Sequence, residues 1–357
     1  MNYITLLPPF SPSVFFKKKR NVLADEFLKK KNVYFLQTGR EALKLGLSYL
    51  KILSNDRILI PAYICQEVTK AIKTLKIDID YYQIFNNLNP DFNDIQAKIT
   101  PKTKAILMVH YFGFPQPIEE FENICKKYNL KLIEDCAHTF LGRYANKFLG
   151  TFGDISFFSL RKIFALPDGG ILVTAKDAPL LDVSETKIRS RAIGALLLEW
   201  LISSTGLRWL NLLRRIMVSH NKNLATEEKI LQGISSFSKK FWQNYNWQNM
   251  VQQRRNNYLY LSHLLMKVSG IKLLYPELLN GVAPYALPII TEDRIVKKNL
   301  YKNGILADSW PDLPEELDPK IYKTTFYLAE NGLLLPIHQR LNEEKLKFIA
   351  KVFSKVK

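Results

Sequence analysis

Residues Ala105–Asp135 read AILMVHYFGFPQPIEEFENICKKYNLKLIED. The opening run AILMVH is continuously apolar, as in a parallel strand buried on both faces. Ile118–Tyr128 spaces its apolar residues for one face of a helix. KLIE, residues 131–134, reads as the next strand, and Asp135 stands at its carboxyl end. The rhythm extends both ways. Arg40–Ile52 reads as a helix with Ala42, Leu43, Leu45, Leu47 and Leu50 on its apolar face, and RILIP (Arg57–Pro61) as a buried strand. Helices are expected at Gln66–Leu75 and Phe92–Ile99, and strands at Ile79–Ile84, Asp154–Ser159 and Gly170–Thr174. The pattern predicts an α/β large domain of three layers, a mostly parallel sheet with helices on both faces.

The rhythm breaks near residue 180. Residues 180–240 read as mostly helical, and from about Asn244 a long polar helix leads into a smaller α+β unit. Its expected strands are Ala286–Ile290 and Leu333–Pro336, and its last helix Asn342–Phe353. The expected organisation is a basic N-terminal arm (1–30), a large domain (31–185), a basic helical insert (186–243) and a small C-terminal domain (244–357). A length of 357 residues suits two cores, and 47% apolar with 24% charged residues excludes a disordered chain. Three cysteines, without metal-ligand spacing, point to a reducing cytosol and no metal site. At the N-terminus the basic residues follow the apolar run, opposite to a signal peptide. A cytoplasmic location is expected.

The chain holds 51 Lys and Arg against 33 Asp and Glu, a net +18. Residues 17–31 carry seven basic residues against Asp25 and Glu26, and residues 187–222 carry seven against Glu199, so these windows supply +5 and +6. Neither has a zinc-finger or RRM signature, so no nucleic-acid partner is expected. Residues 194–217, GALLLEWLISSTGLRWLNLLRRIM, are rich in Leu and Trp. Two readings stay open: a helix buried at a dimer or domain interface, or a helix lying on the inner face of the membrane, with the basic arm adding attraction.

Ligands in parallel sheets bind at the carboxyl ends of strands, and chemistry-bearing residues fall there. They are Thr38-Gly39-Arg40, Tyr63, His110, Asp135, Lys162 and Asp168-Gly169-Gly170. Singly each is weak, since a Lys beside Arg161 is ordinary surface charge and an Asp after a strand is often a helix cap. In order, however, TGREAL (38–43), ITPKTKAI (99–106), VHYFG (109–113), EDCAH (134–138) and Lys162 with DGG six residues later resemble the DegT/DnrJ/StrS-type sugar aminotransferases. Those enzymes use pyridoxal 5'-phosphate (PLP) on the fold-type-I scaffold. The likeness covers roughly residues 31–175 and is weaker over 245–357.

The resemblance implies roles. Lys162 would bond the cofactor aldehyde and later shuttle a proton, and Asp135 would face the protonated ring nitrogen. Thr38, Gly39 and Arg40 at a helix N-terminus would take the phosphate, with Ser159 and Arg161 helping. His138 would sit beside the phenolic oxygen. Tyr63 is a candidate ring stacker, although the family's aromatic falls at Cys65. Other departures are Phe157 at the usual phosphate serine, Asp168 for the usual Glu, and LQGISSFS (231–238) without the family's Asn-x-Arg.

The implied activity is amino transfer, with glutamate as donor, to an anionic nucleotide-linked keto-sugar in polysaccharide or glycan biosynthesis, by a homodimer. The alternatives are a catalytically silent regulatory or scaffold protein and another PLP reaction such as dehydration. Lys162 argues against both, because a silent member is free to lose it and the family's dehydratases typically carry His there.

Overall fold

The computed structural model describes residues 4–16, 26–27, 31–175, 190–205 and 232–353. The large sheet is built from β1 (Asn32–Leu36), β2 (Arg57–Pro61), β3 (Asp78–Tyr82), β4 (Thr103–Val109) and β5 (Lys131–Asp135), then β8 (Ile155–Ser159) and β9 (Gly170–Thr174). A small hairpin of β6 (Arg143–Tyr144) and β7 (Lys147–Phe148) lies between them in sequence. The seven strands run in the order β1-β9-β8-β5-β4-β2-β3. Pairs β2–β3, β2–β4, β4–β5 and β5–β8 are parallel, as the continuous apolar runs predict.

Strand β9 is antiparallel to both β8 and β1. Only residues 160–169 separate β8 from β9, too few for the helical crossover that a parallel return needs. That short turn carries Lys162 and holds a single helical turn, Leu160–Ile163. The flanking helices are α1 (Gly39–Tyr49), α2 (Gln66–Lys73), α3 (Phe92–Lys98) and α4 (Ile118–Tyr128), and the turn at 160–163 is α5. Helix α1 buries Ala42, Leu43, Gly46 and Leu47, and α4 buries Ile118, Phe121, Ile124 and Cys125, one stripe each. Helix α4 stops at Asn129, whose φ of 52° makes a left-handed cap.

The C-terminal part follows α6 (Ser190–Thr205), α7 (Ser236–Asn244) and the long α8 (Trp247–Leu265). Its antiparallel sheet joins β10 (Lys272–Leu273), β11 (Leu287–Ile290) and β12 (Gly332–Leu335), with α9 (Arg294–Lys302), α10 (Lys323–Asn331) and α11 (Glu343–Phe353) around it. The sequence pattern did not announce α9 or α10. Each buries only two residues, Val296 and Leu300 in one and Thr325 and Leu328 in the other.

The described part of segment 1–30 is docked on the body. Ile4 pairs in parallel with Ile305, and Phe10 and Phe15 pack on Phe237 and Phe241. Lys17–Arg20, Lys29 and Lys30 lie outside the described residues, as do residues 206–217 of the Leu- and Trp-rich stretch. Among the described residues no helix is long and apolar enough to cross a membrane.

Strand β9 begins against the turn into α1. A Cβ on Gly170 would lie 2.1 Å from the Thr38 carbonyl oxygen and 2.6 Å from the Gly39 nitrogen. Backbone cannot yield as a flexible side chain can. Gly170→Ala is therefore expected to cost about 1–3 kcal/mol, read as a lower urea midpoint; an unchanged midpoint would show that this approach is not required.

Candidate active site

Lys162 leaves the end of β8 on α5, and its Nζ lies 3.2 Å from His138 Nε2. The His138 ring is buried between near-parallel rings of Phe112 (centroids 5.6 Å apart, 15°) and Tyr285 (5.1 Å, 8°). Phe112 reaches this position with a left-handed φ of 56°, a strain typical of functional sites. Burial first, and then the charge of Lys162, push the His138 pKa well below its ordinary value. The imidazole is therefore neutral. Accepting from Lys162 at Nε2, it carries its proton on Nδ1, which is buried and has no hydrogen-bond partner.

Asp135 ends β5 and is buried, its side chain accepting one hydrogen bond, from the Ala137 N–H at 2.9 Å. Burial raises its pKa, against the pull of Lys162, that N–H and His110. The adjacent Glu134 is fully buried and accepts from the N–H groups of Gly150, Phe152 and Gly153 at 2.6–2.8 Å. His110 Nε2 lies 3.0 Å from it. With His110 and Cys136, Glu134 forms a tight group of possible metal-ligand atoms. Four partners already fill the roughly four lone-pair sites of this carboxylate, so the group is a hydrogen-bonded brace for the strand ends.

One strand further along the sheet lies a cup suited to an anion. Thr38 caps α1 and forms a reciprocal capping box with Glu41. The box leaves the N–H groups of Gly39 and Arg40 without partners among the described residues, at the positive end of the helix. A Cβ on Gly39 would meet Phe158 O at 3.2 Å and Ser159 Cβ at 3.5 Å, so the missing side chain keeps the cup open. Ser159 precedes α5 without capping it. Arg161 makes no hydrogen bond or ion pair among the described residues, and its crowded surroundings, then Arg40, lower its pKa. The Arg40 guanidinium is instead paired with Glu67 on α2.

Tyr63 packs on Trp310 and Tyr111. Its ring is buried, and its hydroxyl donates to the Trp310 carbonyl oxygen. Cys65 lies within electrostatic reach of Lys162 and Asp135, with its thiol pKa raised by burial. Trp310, Arg254 and the partners of Asp168 were not read from the sequence. Trp310 arrives from the C-terminal part, with its indole 4.7 Å from His138 and 5.8 Å from Lys162 Nζ. Asp168 accepts from the Ser235 N–H at 2.7 Å and from the hydroxyls of Ser235 and Ser238. Arg254 donates to Ile163 O at 3.0 Å. The sequence singled out Asp168 and the 231–238 stretch but not their contact, whose bonds span 67 and 70 residues.

The model of the DegT/DnrJ/EryC1/StrS aminotransferase family matches residues 21–192. GDP-perosamine synthase of Escherichia coli O157:H7 is 36% identical over 164 residues, 44% of this chain and 45% of that protein. The chain thus spans under half the length of that relative at this level of identity. The dTDP-4-dehydro-2,3,6-trideoxy-D-glucose 4-aminotransferase of Saccharopolyspora spinosa is 25% identical over 350 residues, 90% of this chain and 84% of that one. The E. coli GDP-4-keto-6-deoxy-D-mannose-3-dehydratase, solved with bound hydrated PLP, shares the fold: TM-score 0.71, 17% identity, 99% of this chain and 100% of that chain. The architecture is the α/β fold type I of PLP enzymes.

His338, near Arg254, is also held neutral, its pKa lowered to about 3, chiefly by burial. An unfolded histidine protonates below about pH 6.5. Between there and pH 3 the unfolded chain binds the extra proton, so stability falls as pH falls, by up to ~1.4 kcal/mol per unit for each such histidine. His338→Gln should flatten the acid side of the stability profile, measured by urea midpoints from pH 7 to pH 4. A parallel profile would contradict the buried neutral state.

Proposed function

We propose, from its membership of the DegT/DnrJ/EryC1/StrS aminotransferase family, that this chain is a PLP-dependent aminotransferase acting on a nucleotide-linked keto-sugar in polysaccharide or glycan biosynthesis. The observation that carries the reading is Lys162 set between the buried carboxylate of Asp135 and the open anion cup. The residues fit the cofactor. His138 Nδ1 is an orphaned buried donor, and the Gly39 cradle would be filled by a Cβ.

Lys162 would bond the aldehyde, Asp135 would face the ring nitrogen and His138 would donate to a ring oxygen. The Gly39 and Arg40 N–H groups, with Ser159 and Arg161, would hold the phosphate. Bound there, PLP supplies an electron sink for the carbanion left when a proton leaves the substrate. The chain supplies the rest. Lys162 Nζ would carry that proton, oriented by its contact with His138 Nε2. Asp135, whose pKa burial raises against the pull of Lys162, the Ala137 N–H and His110, would face the ring nitrogen with its negative charge. Phe112, Tyr285 and Trp310 would limit the access of water.

Glutamate is the proposed amino donor, and the proposed working form is a cytoplasmic homodimer. Lys162 favours amino transfer over dehydration or a silent scaffold. Peripheral contact with the inner face of the membrane is a second proposal. It is favoured by one stripe of α6, where Leu197, Trp200 and Leu201 are 44%, 37% and 36% exposed, and by the two basic windows.

Purified protein given PLP should show the absorption band of bound cofactor, and Lys162→Ala should lose it. Glutamate should then change the band, and a panel of keto-sugar nucleotides should identify the acceptor by aminated product. A wild type that never takes up PLP refutes the enzyme reading. Vesicle co-sedimentation tests the membrane contact: retention on anionic but not neutral lipid is expected, whereas equal recovery or none sinks it.

A further inference from the structure

We propose that Trp310 is the aromatic wall of the cofactor pocket, brought from the C-terminal part of the chain to serve where the large domain offers Cys65. The inference rests on the PLP reading above and concerns which residue the ring packs against.

Position is the first argument. The indole centre lies 5.8 Å from Lys162 Nζ and 4.7 Å from the His138 ring. A ring bonded to Nζ and extending toward the indole would come into van der Waals range of it. The electron-rich face of an indole attracts cations, whether the lysine ammonium or a protonated pyridine ring.

Fixation is the second. Tyr63 donates its hydroxyl to the Trp310 carbonyl oxygen. The rings of Tyr63, Tyr111 and Phe112 surround the indole at 5.2, 5.8 and 5.6 Å. The indole is thus oriented before any ligand arrives, and the Tyr63 ring serves as its backing.

The unmet donor is the third. Trp310 Nε1 is buried and has no hydrogen-bond partner. Buried indole N–H groups ordinarily find an acceptor, and a bound anionic ligand supplies acceptor oxygens. Cys65 at the end of the PAYIC segment carries no ring to do this work.

The test compares wild type with Trp310→Phe, which keeps a ring and loses the N–H, and with Trp310→Ala, which loses both. PLP affinity is read by absorbance titration. Trp310→Ala should bind PLP about tenfold more weakly and Trp310→Phe only a few-fold more weakly. The chain has five tryptophans, so the second readout is the difference in emission between wild type and Trp310→Phe. That difference should be quenched when PLP binds. Should Trp310→Ala fail to fold, the emission difference alone decides. Unchanged affinity in both variants, or an emission difference indifferent to PLP, overturns the proposal. A wild type that binds no PLP overturns the aminotransferase reading itself, a separate and distinguishable result.

Discussion

The guanidinium of Arg254 is buried with no carboxylate beside it among the described residues, and it holds three distant parts of the chain at one point. It donates to Ile163 O at 3.0 Å, to Tyr285 O at 3.1 Å and to Gln339 Oε1 at 3.0 Å. Burial lowers its pKa to about 10, which still leaves it charged at neutral pH. A buried cation is tolerated only when its donors are satisfied, so the three acceptors must stay in place. One follows Lys162, one belongs to the residue whose ring flanks His138, and one lies in the loop after β12. One turn along α8, Asn257 donates to Ile337 O and His338 O. The geometry of the lysine turn is thereby tied to the packing of the C-terminal part.

The other side of that turn is pinned by Asp168. Gly169 donates to Gln37 O at 2.7 Å and accepts from the Leu160 N–H at 3.0 Å, closing the loop between β8 and β9. Asp168 then accepts from the start of α7 through Ser235 and Ser238. Ser235 and Ser238 thus answer both oxygens of the Asp168 carboxylate. The segment after residue 232 is therefore part of the wall of the site, although by sequence it closes a basic insert. Asp168 and the LQGISSFS stretch, two departures from the family pattern, are two halves of one contact.

What was legible in the sequence is what depends on local spacing. The β4–α4–β5 unit, the TGR entry into α1 and the strand-end positions of Asp135, Ser159 and Lys162 all follow from period and order along the chain. What was not legible depends on partners far apart in sequence. Trp310 sits in an irregular, proline-rich stretch with no periodicity, and its Tyr63 contact spans 247 residues. Helices α9 and α10 bury too little to show a face. The reversal of β9 follows from the shortness of the 160–169 link, which period alone does not weigh. Tyr63, read as a ring for the cofactor, has its hydroxyl committed to Trp310, a partner that its neighbours in sequence do not reveal.

Charge arrangement ties these pieces to one kind of ligand. In sheet order the cup of α1 N–H groups, Ser159 and Arg161 belongs to the β1 and β8 ends, and Asp135 to β5 beside β8. Lys162 rises from the turn after β8. A neutral His138 matters here, because a protonated ring beside the lysine would set a second cation against the buried carboxylate of Asp135. The site therefore presents a positive end and a negative end, with aromatic walls that keep the dielectric low and the field strong. A ligand that is anionic at one end and can carry a proton at the other is matched at both. A phosphorylated pyridine has that polarity, whereas a simple phosphate would leave Asp135 and the orphaned His138 Nδ1–H unanswered. The overall +18 takes no part in this matching: the centre rests on a few placed groups, and most of the surplus lies in the two windows outside it.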